Sequence, residues 1–330
     1  MKLILVTGAN KGIGLAIVKR LLAEYADTRL LLGSRDSGRG EEAVKGVLAS
    51  LGPQYTSRLE MLQLDVTSEQ SVAAAVEKVR SRYGGEQPLY GLVNNAGGSL
   101  ATDRETIQLN TYAVIRVCEA FLPLIQQRGG LLFVILLSRF FKILLLLLLL
   151  GRIVQISSAS GPSYVSKLSQ ELQAMMVDGM VTFAEAETRI IKPYLKIKED
   201  KTLSEEEQKA ALTELGLADG AYGVSKASLN SYTMELARRH PDILINSCTP
   251  GWIATDLSKG YAEKQGKTPK EIGMKTPEEG AQAALYLTMT DLRAELPGYQ
   301  SGRFYGSDAV RSPLHKYRSP GTPAYDGAFP

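Results

Sequence analysis

The chain predicts an α/β protein built on a doubly wound parallel sheet, and three observations carry that expectation. Apolar runs of strand length recur along it, amphipathic helical stretches separate the early ones, and a glycine-rich loop joins the first run to the first helix. The runs are 2–7 (KLILVT), 29–33 (RLLLG), 59–63 (LEMLQ), 91–94 (GLVN), 152–157 (RIVQIS) and 244–249 (LINSCT). Helical patterns at 13–25 and 68–83 lie between the early runs, which gives β-α-β-α order and parallel pairing. Ser68, at the end of the Asp65-Val66-Thr67-Ser68 stretch, is a capping residue for the second of these helices, which stops before Gly84-Gly85. Beyond Arg303 the sequence is rich in Pro, Gly and Ser without periodicity, so 306–330 reads as an irregular tail and 1–305 as a single domain.

Composition narrows the partners. With 44% hydrophobic and 22% charged residues among 330, the chain is ordinary globular material. A net charge of +3, with the basic residues scattered, gives no footprint for nucleic acid. Cys118 and Cys248 stand far apart with no metal-ligand spacing, so no metal site is expected and a reducing, cytoplasmic setting is. The apolar run at the start is too short for a signal peptide before the glycine motif begins.

TGANKGIG at 7–14 follows the first strand and opens the first helix. Glycines at such a turn let backbone N–H groups approach a pyrophosphate, and the helix N-terminus adds its positive end, as in a Rossmann dinucleotide site. The end of the second strand bears on which dinucleotide. A carboxylate there suits the ribose hydroxyl of NAD, whereas cations suit the extra phosphate of NADP. Arg35 arrives first and Lys11 is a second cation, which favours NADP; Asp36, one residue on, keeps the NAD alternative open.

Tyr222 and Lys226 fall four apart at the start of a helical pattern running to His240, and so share a face. An ammonium beside a phenol lowers its pKa, which suits a tyrosine acting as general acid toward a carbonyl oxygen while hydride arrives from nicotinamide. A second Tyr-x-x-x-Lys, Tyr194 to Lys198, lies beside Glu199-Asp200 and reads as a solvated helix face.

Seven motifs in order resemble the short-chain dehydrogenase/reductase family: TGANKGIG at 7–14, Asp65-Val66, NNAG at 94–97, Asn110, Ser157-Ser158, YGVSK at 222–226 and PGWIAT at 250–255. The resemblance implies that Tyr222 is the acid/base, that Lys226 holds the nicotinamide ribose, that Ser158 orients the carbonyl and that Asn110 holds a proton-relay water. It also implies cofactor contacts from Gly8, Asn10, Lys11, Gly12, Ile13 and Gly14, from Arg35, and from Asp65 and Val66 near the adenine. Asn94, Ala96 and Gly97, then Pro250, Gly251, Ile253 and Thr255, complete that set together with Tyr222 and Lys226.

Ser158 and Tyr222 stand 64 positions apart, much farther than in most of the family. The extra residues, 160–219, contain helical patterns at 168–177 and 204–215. This insertion, with Arg35-Asp36 and PGW, is similar to the monomeric carbonyl reductase branch, where it covers a helix face that other members use for assembly. The branch implies NADPH-dependent reduction of a small aldehyde or ketone by a monomer, with Trp252 either lining the substrate pocket or packing. A non-catalytic NADP-binding scaffold is the rival reading; the joint presence of Ser158, Tyr222 and Lys226 favours the enzyme. Gly97 to Asn110 is shorter than in relatives, which leaves the substrate pocket less defined than the cofactor site.

One segment fits none of this. Residues 131–150, LLFVILLSRFFKILLLLLLL, are apolar at seventeen of twenty positions and as a helix would span about 30 Å, near a bilayer core. Arg139 and Lys142 leave insertion marginal. A single crossing would put the preceding helix and the following strand of one sheet on opposite sides of a membrane. Deleting 131–151 restores an ordinary passage, LPLIQQRGG-RIVQISS, and the run of seven leucines resembles a translated pyrimidine tract, so the segment reads as a retained intron. A membrane-surface hairpin or anchor is the alternative. Its place between Asn110 and Ser158 sets it beside the expected active site.

Overall fold

A computed structural model describes residues 1–126, 150–256, 258–296, 299–325 and 327. The alternation expected from sequence is present: β1 (Lys2–Val6), α1 (Gly12–Glu24), β2 (Thr28–Ser34), α2 (Ser37–Leu51), β3 (Leu59–Gln63), α3 (Glu69–Tyr83) and β4 (Leu89–Asn94). Next come α4 (Asp103–Ile107), a π-helical turn (Gln108–Tyr112), α5 (Ala113–Phe121) and then β5 (Arg152–Ile156). The insertion supplies α6 (Ser160–Val165), α7 (Gln170–Val177), α8 (Phe183–Ala186), α9 (Lys192–Lys198) and α10 (Glu205–Glu214). The chain continues with α11 (Ala221–Arg239), β6 (Leu244–Cys248), α12 (Lys259–Lys264), α13 (Pro277–Gly280), α14 (Gln282–Met289), β7 (Phe304–Tyr305) and β8 (Arg311–Ser312).

Among the described residues the strands form one sheet in the order β3-β2-β1-β4-β5-β6-β7-β8. All neighbours pair in parallel except β7 and β8. Alternate residues of β1 divide between two cores: Ile4 and Val6 pack with α1, α2 and α14, Leu3 and Leu5 with α3, α5 and α11. Helices cover both faces, which is why the central strands read as unbroken apolar runs rather than alternating ones. A third core joins the insertion to α11, with Leu172, Ile190 and Leu212 against Val224 and Ala227. The order reverses between β1 and β4, which opens a crevice at the carboxyl ends of those strands.

Two expectations need correction. The stretch after Arg303 is not wholly irregular: β8 extends the sheet, and buried Arg318 pairs with Asp308 to hold the intervening loop. Strands of two residues carry no alternation to read. The second Tyr-x-x-x-Lys is no solvated face either, because Tyr194 is completely buried in the third core.

The leucine-rich segment up to residue 149 and the four residues before it lie outside the described residues; Gln126 and Gly151 are described. The Gln126 N–H donates to the Leu89 carbonyl at 2.8 Å, and the Gly151 N–H to the Gln126 carbonyl at 2.8 Å. Gln126 and Gly151 therefore abut at the starts of β4 and β5, whereas Ser158 follows the far end of β5. A Cβ on Gly151 would overlap the Gln126 carbonyl oxygen, so a glycine is needed there. Deleting 131–151 brings Gly130 next to Arg152, which still supplies one. The deleted protein is expected to keep its melting temperature within a few degrees and its turnover within about twofold, since loop length changes closure entropy only slowly. Thermal melts and rate assays of the two forms side by side check this, and a deleted form that does not fold would refute it.

Candidate active site

Two glycines give the cradle its shape. Gly8 and Gly12 adopt φ of +61° and +57°, a region open to glycine and costly for other residues. A Cβ on Gly8 would come within 2.9 Å of Ala96 Cα, so the loop after β1 lies directly against the loop after β4. Asn95 binds the two together. Its Nδ2 donates to the carbonyls of Thr7 (2.9 Å) and Gly8 (3.1 Å), while its own N–H and that of Ala96 donate to Thr7 Oγ1 at 3.0 Å. α1 starts at Gly12 without a side-chain cap and without an acidic residue in its first turn. Its amides are left to an external anion, as a pyrophosphate would require.

Arg35 is exposed just past β2. Asp36 is engaged elsewhere: it caps α2, accepting the Arg39 N–H at 2.8 Å, with Arg39 Nε 3.8 Å away. The carboxylate that kept NAD open thus serves its own helix, and Arg39 adds a cation that the sequence reading passed over. Lys11, expected to be a second cation for the phosphate, reaches instead to Asp256 at 2.7 Å, joining the glycine loop to the loop after β6. Thr255 belongs to the same closure, its Cγ2 3.6 Å from where a Gly12 Cβ would stand. Asp65 and Val66 follow β3; one Asp65 oxygen accepts both the N–H and the hydroxyl of Thr67, and Val66 is buried.

The Asn94 side chain points away from the cradle, which leaves its backbone for the cofactor contact expected of it. Its side chain is buried and donates to Cys118 Sγ at 3.2 Å, in the core below the crevice, and Asn95 is the residue that touches the cradle.

Asn110 and Lys226 meet at Gly97, and Lys226 in turn neighbours Tyr222, which pairs with Ser158. A Cβ on Gly97 would lie 2.7 Å from Asn110 Oδ1 and 3.5 Å from Lys226 Nζ. Asn110 is fully buried in the π-helical turn; it accepts the Gly98 N–H (2.9 Å) and donates to the Gly98 carbonyl (2.8 Å) and to Ser225 Oγ (3.2 Å). Lys226 is 4% exposed, donates to the Ile156 carbonyl at 2.8 Å, and sits 5.7 Å from the centroid of the Tyr222 ring. Burial pushes its ammonium down to about 8. Burial also raises the Tyr222 phenol, and the Ser158 hydroxyl is the group that opposes this.

Close packing fixes this group. A Cβ on Gly223 would lie 2.9 Å from Tyr164 Cβ, and one on Gly161 3.1 Å from the Lys226 backbone, so α6 rests on α11 through glycines on both sides. Ser158 Oγ accepts the Ser160 N–H at 3.1 Å, which anchors it at the foot of α6. Pro250 and Gly251 turn the chain after β6, Gly251 with φ +91° against Ser307, and Ile253 is buried on Gly280. Trp252 is 46% exposed, so it is not a packing residue. Asn10 and Ile13 complete the glycine loop. Among the described residues no cluster of His, Cys, Asp or Glu is arranged to hold a metal, and no helix is long and apolar enough to cross a membrane.

Comparison with known proteins agrees with this geometry. The family model for short chain dehydrogenase matches residues 2–138. Carbonyl reductase [NADPH] 3 of Rattus norvegicus is 31% identical over 301 residues, covering 86% of this chain and 90% of that protein. (+)-Neomenthol dehydrogenase of Arabidopsis thaliana is 30% identical over 311 residues, covering 86% and 90%. Among solved structures, menthone neomenthol reductase from Mentha piperita superposes with a TM-score of 0.62 at 26% identity, over 93% of this chain and 98% of that one. With the glycine cradle, the crevice at the strand reversal and relatives matched over most of its length, the chain belongs to the short chain dehydrogenase family.

Proposed function

We propose that the protein reduces a small aldehyde or ketone to the alcohol with NADPH, Tyr222 giving the proton. The observation that carries the reading is a chain of neighbours, Asn110 and Lys226 at Gly97, Lys226 by the Tyr222 ring and Tyr222 with Ser158, beside an uncapped glycine cradle. When bound, the nicotinamide supplies the hydride to the carbonyl carbon. Ser158 orients the substrate oxygen, and a phenol raised above its ordinary value is protonated at neutral pH and so able to donate to that oxygen. The phenolate left behind regains its proton from solvent. Lys226 and Asn110 hold the Gly97–Gly98 turn and the foot of α11 in register with Tyr222. Relatives named as NADPH-dependent carbonyl reductases support both the cofactor and the reaction class.

Gly8, Gly12 and Gly14 would hold the pyrophosphate, Arg35 and Arg39 the phosphate that distinguishes NADPH, and Thr255 the carboxamide end. Arg35→Ala is expected to weaken NADPH binding by about 10- to 100-fold, the worth of a charge-assisted hydrogen bond, and NADH binding little. Fluorescence titration with both cofactors measures it, and equal losses for the two would remove Arg35 from that role. Trp252, exposed after the Pro250-Gly251 turn, is proposed to meet the substrate. The insertion covers the outer face of α11, which supports a monomer, and two free, buried cysteines support a cytoplasmic setting. Incubation with NADPH and a panel of quinones, aldehydes and ketones tests the activity: oxidation that depends on the carbonyl compound is expected, and its absence across the panel would favour the scaffold reading.

A further inference from the structure

The buried phenol of Tyr194 touches three groups from two other parts of the fold. It donates to Asp103 Oδ2 at 2.7 Å, lies 3.1 Å from Asp219 Oδ1, and accepts the Gly220 N–H at 3.3 Å. Asp103 is the first residue of α4, the segment that leads through the π-helical turn to Asn110. Gly220 precedes α11 by one residue and Tyr222 by two; it adopts φ +127°, and α11 has no side-chain cap. Nothing lies within 4 Å of the position a Gly220 Cβ would take, and the residue is exposed. Asp219 is held from its other side by Lys198 Nζ at 3.3 Å.

The Phe183 ring of the insertion also lies edge-on to Tyr112 and to Tyr232 of α11, an apolar bridge that a loss of the Tyr194 hydroxyl leaves intact, whereas two polar contacts reach one side alone. Arg104 grips Glu199 through two bonds of 2.5 and 2.6 Å, and Tyr112 donates to Glu187 at 2.7 Å; both reach only the α4 side. The Tyr194 hydroxyl bridges both sides.

From this we infer that Tyr194 is a positioning residue: its hydroxyl sets the start of the helix carrying Tyr222 against the start of the segment carrying Asn110. The inference rests on the reading of Tyr222 as proton donor. A proton donor displaced by a fraction of an ångström loses rate without losing cofactor affinity, because the cradle lies on other elements.

Tyr194→Phe removes one oxygen and keeps the ring. It is expected to lower kcat by about tenfold, to leave KM and the NADPH Kd within about twofold, and to raise the primary isotope effect with deuterated NADPH as the chemical step becomes limiting. Asp103→Asn keeps an acceptor oxygen and should stay near wild type, whereas Asp103→Ala should behave like Tyr194→Phe. Arg104→Ala, which removes an exposed ion pair of the same insertion, should leave kcat unchanged. Wild-type kcat and isotope effect in Tyr194→Phe, whatever its melting temperature, would overturn the proposal. Should that variant not fold, equal kcat in Asp103→Ala and Asp103→Asn would overturn it instead. Tyr222→Phe run in parallel separates the two layers. Turnover surviving there defeats the reading of Tyr222 and this proposal with it, whereas an inactive Tyr222→Phe beside a fully active Tyr194→Phe defeats the positioning role alone.

Discussion

Tyr222→Phe is expected to lower carbonyl turnover by about 10²- to 10⁴-fold, the usual contribution of a positioned general acid, while NADPH binding stays within about twofold. The phenol is half-buried at the foot of α11, and its loss changes neither the ring that packs there nor the glycine cradle on α1. Titration of NADPH fluorescence and initial rates on the same preparation measure the two quantities. A matched fall in both would mean that Tyr222 serves the cofactor rather than the proton.

The second large effect is expected at Gly14. A Cβ there would overlap Asn95 Nδ2 and stand 2.7 Å from the Gly8 carbonyl oxygen and 2.9 Å from Ala9 Cα. Two of the three are backbone atoms of the cradle, and the third is the side chain that braces it. Gly14→Ala is therefore expected to destabilise the fold by about 1–3 kcal/mol, the range for overpacking, and to reduce NADPH affinity at least tenfold as the brace is pushed out. Gly46→Ala is the control. Gly46 is exposed within α2, nothing lies within 4 Å of its would-be Cβ, and alanine there should stabilise by about 0.5–1 kcal/mol. Urea midpoints of the two variants should move in opposite directions; a Gly14→Ala protein with unchanged midpoint and affinity would show that the cradle is looser than described.

Much of this was legible in the residues. The central strands β1 and β2 carry continuous apolar runs, ILV and LLL, because helices cover both faces of the sheet, and such runs show in sequence without any partner information. Gly8, Gly12 and Gly14 were readable because each stands where a backbone needs room. What stayed hidden depends on direction or on distant chain. That Asn95 rather than Asn94 braces the glycine cradle with its side chain rests on bonds to Thr7 and Gly8, which a four-letter motif does not state. Asp36 was ambiguous until its carboxylate was seen on the Arg39 amide. The burial of Tyr194 does have a sequence signal: Ile190, Ile191, Tyr194 and Leu195 form a buried stripe at helical spacing, masked by the lysines and acids around it. The burial that lowers Lys226 comes from elements far apart in sequence, and no local pattern reports it.

The central claim is that hydride passes from NADPH to a carbonyl carbon while Tyr222 supplies the proton. It is tested most directly by turning over a carbonyl substrate with NADPH deuterated at the transferring position of the nicotinamide and analysing the alcohol by mass spectrometry. The account predicts one deuterium on the carbinol carbon of the wild-type product and almost no labelled product from Tyr222→Phe. Alcohol formed without deuterium on that carbon, or formed at an undiminished rate by Tyr222→Phe, would contradict it.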